Sequence, residues 1–277
     1  MNRIDELFQR RDRNVLSVYF TAGYPELNDT NLIINGLEQA GADLIEIGFP
    51  FSDPVADGPV IQASSHKALE NGMNLDILFG QLSEIKETSR IPKIMMGYFN
   101  TVYQFGVSKF IKACSESGIS GVIIPDLPPE VYLDEYQGIF KENDIHFICL
   151  VSPQTPQDRA EYLATISKGF LYLLSSSGTT GGSLTQLNHF NHFNHFNIPT
   201  MIGFGIHDHE SFALACQQAN GAIIGSEFIR RQTAEERLRD DKTLRRGEER
   251  LRDDKTLRRE IIREVCVGFV NEIRGIV

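Results

Sequence analysis

Short apolar runs alternate with amphipathic helical stretches along this chain, and the alternation repeats eight times without a dividing linker. No other feature restricts the accessible folds as much. The runs are Val15–Phe20, Leu44–Ile47, Lys93–Met96, Gly121–Ile124, His146–Val151, Phe170–Leu174, Thr200–Ile202 and Ala222–Ile224. They are too short for helices, rich in Ile, Val and Leu, and several stop at Gly or Pro, so they read as buried strands. Between them the spacing of apolar residues predicts helices over Asn28–Gln39, Val60–Glu70, Leu75–Thr88, Val107–Ser117, Val131–Glu142, Gln157–Ile166 and His209–Gln218, with a long helical tail. A further helix over Met1–Arg11 carries Ile4, Leu7 and Phe8 on one face and precedes the first strand. Alternating βα units imply a parallel sheet, and eight of them in about 250 residues is the (β/α)8, or TIM, barrel count. A doubly wound open sheet is the competing architecture, but no G-x-G-x-x-G follows the first strand. The expectation is therefore one barrel domain over residues 1–277 with an extra N-terminal helix. Its active site would lie at the C-terminal ends of the strands.

Composition removes several function classes. The formal net charge of -10 opposes broad binding of nucleic acid through its phosphates. No apolar run approaches the roughly 18 residues of a membrane span, and MNRIDELFQRRDR lacks the apolar core of a signal peptide, which points to the cytoplasm. Cys114, Cys149, Cys216 and Cys266 are scattered, without a C-x-x-C pair, and read as buried reduced thiols rather than a disulfide framework or zinc site.

One strand carries a charge where a charge is costly. Glu46 interrupts the apolar run Leu44-Ile45-Glu46-Ile47, and burial there raises a carboxyl pKa toward the range useful for proton transfer. Eleven positions later, past a Pro-broken loop, Asp57 follows within DPVADGP. A strand carboxylate and a loop carboxylate at one strand end suggest a two-carboxylate site. The structural alternative is a Glu tied to an Arg or hydroxyl, with Asp57 as a turn residue beside Gly58-Pro59. Glycine-bearing loops follow the last three strands: Gly178-Thr179-Thr180-Gly181-Gly182, Gly203-Phe204-Gly205-Ile206 and Gly225-Ser226. Such loops let backbone N–H groups approach an anion, and a helix starting at Ser226 aims its positive end at the same point. Barrels often bind phosphate there, so a phosphorylated ligand is expected.

Two tracts break the alternation. Asn188–Asn197 repeats Asn-His-Phe three times, placing His189, His192 and His195 on neighbouring faces of a helix; a surface helix accounts for this better than a metal site. Glu235–Arg246 (EERLRDDKTLRR) recurs as Glu248–Arg259, and its mixed charges read as a solvated helix with internal ion pairs.

The segment IEIGFPFSDPVADGPVIQ closely resembles the signature of the tryptophan synthase α subunit family. FTAGYP, MGYFN, PDLP, LLSSSGTTG, GFGI and GSEF follow in matching order, so the resemblance runs from the first helix to about Arg230, plus the terminal helix. The resemblance implies a barrel that splits indole-3-glycerol phosphate into indole and glyceraldehyde 3-phosphate without a cofactor of its own. It implies Glu46 as general acid/base and Asp57 as the carboxylate that stabilises charge at the indole N–H. Tyr172 and Thr180 match residues that steady the acid/base and close a lid. Gly181, Gly205, Gly225 and Ser226 match the phosphate site, and Tyr19, Tyr98, Ile123 and Phe204 the indole slot. The family works in an α2β2 tetramer whose β subunit carries pyridoxal phosphate and receives the indole. Phe51–Asp57 and Tyr98–Asn100 resemble the surfaces that face that partner. A lyase acting without any β chain, and a non-catalytic activator of β, are the alternatives; the intact carboxylate pair opposes the second.

Overall fold

In the computed structural model of the chain, residues 1–174, 196–234 and 255–276 are described. Among them the strands are β1 (Val15–Thr21), β2 (Leu44–Gly48), β3 (Lys93–Met96), β4 (Gly121–Ile123), β5 (His146–Phe147), β6 (Leu150–Val151), β7 (Leu171–Leu174), β8 (Thr200–Gly203) and β9 (Gly221–Ile224). Every pairing is parallel, in the order β5-β4-β3-β2-β1-β9-β8-β7-β6. The two outermost members, β5 and β6, are halves of one chain segment parted only by Ile148 and Cys149. Ile148 N–H donates to Val122 O at 3.1 Å on one side, and Cys149 O accepts from Tyr172 N–H at 3.0 Å on the other. The fifth strand read from the sequence is thus the seam at which the sheet closes on itself.

The helices are α1 (Arg3–Arg10), α2 (Thr30–Ala40), α3 (Pro59–Glu70), α4 (Leu75–Ile85), α5 (Phe99–Phe105), α6 (Val107–Glu116) and α7 (Pro129–Val131). The last of these runs through a π turn at Tyr132–Tyr136 into α8 (Gln137–Glu142). Then follow α9 (Gln157–Ile166), α10 (His209–Gln218), α11 (226–234) and α12 (Lys255–Arg274). Local chemistry sets several starts. Asn74 accepts from Ile77 N–H at 3.0 Å, and Asp208 from Ser211 N–H at 2.8 Å, each satisfying an orphan donor of a first turn. Pro59 opens α3, where its missing N–H costs nothing. Helix α5 is absent from the sequence reading because it buries only Val102 and so shows no apolar stripe.

Strand β1 is buried along its whole length, as expected of a parallel strand covered on both faces. At the N-terminal mouth α1 acts as a plug. Ile4 is fully buried against Gly121 and Gly169, and the Asn2 amide donates to Ser120 O at 2.8 Å and Asp144 O at 2.7 Å. The opposite mouth is left to the loops. All four cysteines are buried free thiols, and no described helix is long and apolar enough to cross a membrane.

Helix α12 lies along α2 and joins the end of the chain to its beginning. Cys266 packs its sulfur where a Cβ on Gly36 would stand, so only glycine lets the helices approach this closely. Asp43 accepts from Arg11, from Arg274 at 2.6 Å and from Leu16 N–H at 2.8 Å, gathering both chain ends at the start of β2. Arg258 makes a two-nitrogen contact to the carboxylate of Asp29, which is 2% exposed at the head of α2. Arg258 belongs to the second copy of the duplicated tract, so this part of the tract is docked rather than solvated. The remainder of that tract, residues 235–254, lies outside the described residues, as do residues 188–195 of the Asn-His-Phe run. Removing one partner of a buried ion pair strands the other charge, at a cost of about 3 kcal/mol. Arg258→Met is therefore expected to lower stability by about that amount. Equivalent denaturation midpoints for variant and parent would show that the contact does not hold α12 in place.

Candidate active site

Glu46 sits in the middle of β2 as register partner of Tyr19 on β1 and Ile94 on β3. It is 1% exposed, and its Oε2 has no hydrogen-bond partner among the described residues. A carboxyl in such surroundings disfavours its charged form. Burial, reinforced by the nearby charge of Asp57, pushes Glu46 from 4.5 up to about 8. The apolar strand that made Glu46 conspicuous in the sequence is the physical cause of this shift.

Asp57 is carried by the loop between β2 and α3, and α3 holds that loop still. The Gln62 amide donates to Asp57 O at 3.0 Å and Pro54 O at 3.3 Å, while Ser65 Oγ accepts from Phe51 N–H at 3.0 Å and donates to Phe51 O at 3.1 Å. The Asp57 carboxylate itself is tied to the end of β3. Tyr98 donates to Asp57 Oδ2 at 3.2 Å and accepts from Ala56 N–H at 3.0 Å. Partial burial raises Asp57 to about 6, with the Tyr98 hydrogen bond pulling the other way. Tyr98 is in turn pushed up to about 12, by burial and by the Asp57 charge, and stays a donor. At neutral pH the pair therefore divides: Glu46 holds its proton and Asp57 has lost its own. Unequal environments of this kind assign different roles to two chemically similar groups.

Two further phenols complete the inner surface. A Cβ on Gly48 would overlap the Tyr19 hydroxyl, and one on Gly203 would overlap that of Tyr172, so each ring uses the space a side chain would have filled. Both phenols are raised by burial; Asp57 and Glu46 add to the shift at Tyr19 and at Tyr172. Beside them opens a cavity of about 110 Å³ whose wall includes Tyr19, Asp57, Tyr98 and Phe204. Phe51 stacks on Tyr98 with ring centroids 5.0 Å apart, and Phe204 meets Tyr172 edge-on at 6.5 Å. Phe204 holds a φ of 70°, rare for a bulky residue; strain of this sort persists where the surroundings impose it, often at functional sites.

On the far side of Tyr19 lie the glycine loops. The Tyr19 ring backs onto Gly225, whose carbonyl accepts from Ile229 N–H at 3.1 Å at the start of α11. Ser226 thus stands at a helix N-terminus, where free N–H groups and the helix dipole favour an anion. Gly205, with φ 76°, follows Phe204, and its carbonyl accepts from His207 Nδ1 at 2.9 Å.

Of the residues expected from the sequence, Tyr19, Asp57, Tyr98 and Phe204 line the cavity. Glu46 and Tyr172 are buried, Tyr172 against the lining residue Phe204. Gly205, Gly225 and Ser226 are not in the wall, but Gly205 follows Phe204 and Gly225 meets the Tyr19 ring. Ile123 is fully buried at the end of β4, paired with Met96, and does not line the cavity. Thr180 and Gly181 lie outside the described residues. The cavity wall also contains Phe49, Phe51, Met96, Leu150 and Leu174, which the sequence reading did not assign to the slot. Their common signal is position: Phe49, Phe51, Met96 and Leu174 lie at or shortly past the C-terminal end of a strand, and Leu150 opens β6 beyond the seam.

Residues 6–257 match the family described as tryptophan synthase alpha chain. The chain belongs to this family. The tryptophan synthase alpha chain of Flavobacterium johnsoniae is 50% identical over 243 residues, covering 83% of this chain and 93% of that one. That of Flavobacterium psychrophilum is 49% identical over 239 residues, covering 84% and 94%. Among solved structures, the tryptophan synthase subunit alpha of Legionella pneumophila superposes with a TM-score of 0.81 at 28% identity, covering 99% of this chain and 98% of that one. The A-subunit from Pyrococcus furiosus gives 0.79 at 28% identity, covering 96% and 99%.

The raised Glu46 pKa has a consequence for stability that activity does not enter. Between pH 4.5 and about 8 the folded chain keeps a proton that the unfolded chain has lost. Stability contributed by this group is complete below pH 4.5 and lost as pH rises toward 8, by about 1.4 kcal/mol per pH unit. Glu46→Gln cannot titrate, so its stability relative to the parent is expected to rise across that window and level off above it. Parallel stability–pH curves for the two proteins would contradict a buried neutral Glu46.

Proposed function

We infer that the chain cleaves indole-3-glycerol phosphate to indole and glyceraldehyde 3-phosphate, a carbon–carbon lyase reaction, as the α subunit of tryptophan synthase. The observation that carries this reading is the division of protons between Glu46 and Asp57 beside an aromatic slot. Bond cleavage requires that C3 of the indole ring be protonated and that the hydroxyl on the carbon attached to C3 lose its proton. Glu46, neutral at pH 7, supplies the first proton. The resulting carboxylate takes the hydroxyl proton as the C–C bond breaks, its electron pair returns to the ring, and an aldehyde leaves. Glu46 ends protonated as it began, so the cycle balances without an outside acid.

While C3 is protonated the ring carries positive charge at its N–H. Asp57, ionised and held by Tyr98, is placed to stabilise that charge, a preorganised electrostatic effect. Tyr19, Tyr98 and Phe204 supply aromatic walls for the indole. The phosphate end of the substrate would sit at Gly205, Gly225 and Ser226, held by amide N–H groups rather than cationic side chains. Thr180 and Gly181 complete the same reading as lid and phosphate residues. Indole would pass to a β subunit that carries the pyridoxal phosphate, in an α2β2 assembly; Val55, between the slot residues Pro54 and Ala56, is an exposed apolar side chain on the Phe51–Asp57 loop.

The test is indole release from indole-3-glycerol phosphate, with and without a tryptophan synthase β subunit. Glu46→Gln is expected to reduce turnover by on the order of 10³-fold or more, and Asp57→Asn by roughly 10²-fold. Because the acid form of Glu46 and the base form of Asp57 are both needed, kcat/KM should fall below about pH 6 and above about pH 8. Near-parental turnover in Glu46→Gln, or a flat profile across that range, would exclude these roles.

A further inference from the structure

Phe49 stands one residue past β2 and is bonded to the end of β3, its N–H donating to Met96 O at 3.0 Å. Its ring, 4% exposed, lies across Gly97, where a Cβ would overlap the ring carbons. Behind it is a packed aromatic layer. Phe49 meets Phe110 of α6 edge-on at 5.7 Å between centroids, and Phe110 meets Phe79 of α4 edge-on at 5.6 Å. In front is the cavity, whose wall Phe49 and Gly97 share. The ring is a partition between filled and open space.

We propose that the Phe49–Gly97 pair determines which aromatic rings the slot accepts: Phe49 excludes indoles enlarged on the benzo ring, and the missing side chain at position 97 keeps room for indole itself. The inference rests on the reading of the cavity as an indole slot and deepens it. A close-packed interior resists further filling, so a methyl group added at position 97 displaces the Phe49 ring toward the open volume in front of it, the slot. Shortening Phe49 does the reverse and extends the slot toward Phe110. The two changes act on one space, so they compensate: with Phe49 shortened, a methyl at 97 has somewhere to go. Residues that share a cavity are expected to couple in this way rather than add.

The experiment measures binding of indole and of benzo-ring methylindoles, together with cleavage of indole-3-glycerol phosphate, for the parent, Phe49→Ala, Gly97→Ala and the double variant. The parent should prefer indole to the methylindoles by on the order of tenfold, the usual worth of one methyl group in an apolar pocket. Phe49→Ala should bring at least one methylindole level with indole. Gly97→Ala should weaken indole binding by roughly tenfold, and the double variant should recover most of that loss. Phe49→Leu, a smaller change, should show the same ordering more weakly and keeps the test open if Phe49→Ala folds poorly. An unchanged preference in both Phe49 variants, or a double variant no better than Gly97→Ala, overturns the proposal. A parent that binds indole and releases it from substrate, with no change of preference in the variants, defeats the pair alone. A parent that does neither defeats the slot reading and this inference with it.

Discussion

A carboxyl group placed in the middle of a barrel strand, with no cation beside it among the described residues and pressed by a second carboxylate, is the constraint on which this structure turns. Folding does not relieve it: Glu46 remains buried, its Oε2 lacks a hydrogen-bond partner among the described residues, and its affinity for a proton rises instead. The surrounding barrel tolerates the cost because β1 and β2 are covered on both faces and continue an apolar core from the Ile4 plug upward. Natural proteins often concede stability at the site where they act. Here the concession creates an acid that is still protonated at neutral pH, which is what a reaction beginning with protonation of a carbon requires.

The second carboxylate is treated in the opposite way. Asp57 is placed on a loop, partly in reach of solvent, and supported at both its backbone and its side chain by Gln62 and Tyr98. The strand fixes one group and denies it partners; the loop gives the other a partner and keeps it charged. Around them the barrel mouth makes room by omission. Gly48 and Gly203 give their side-chain space to the phenols of Tyr19 and Tyr172, and Gly225 lets the Tyr19 ring rest against the helix terminus where an anion would bind. The parts of the site proposed to handle protons and to bind phosphate therefore meet across the Tyr19 ring.

Much of this was legible in the sequence, for reasons that can be named. Strands buried on both faces read as uninterrupted apolar runs, and Gln157–Ile166 and His209–Gln218 are helices at the same boundaries the periodicity indicates. Glu46 was legible because a charge inside such a run is costly. What was not legible depends on tertiary neighbours. Nothing local marks Ile148 and Cys149 as the seam between β5 and β6, or Arg258 as the partner of Asp29 across 229 positions. The slot walls Phe49, Leu150 and Leu174 are apolar residues at strand ends and look like ordinary core until the cavity beside them is seen. The role of Tyr98 as the tether of Asp57 is likewise a matter of reach, since 41 positions separate the two.

The claim underlying all of this is that Glu46 is a neutral acid at neutral pH, and infrared difference spectroscopy addresses it without reference to turnover. Titration of the parent against Glu46→Gln isolates the carboxylic acid C=O stretch of this one group. The band is expected to be present at pH 7 and to fade with a midpoint near 8. A band already lost by pH 6 would mean that Glu46 is ionised in the folded protein, and the division of roles between the two carboxylates would fail with it.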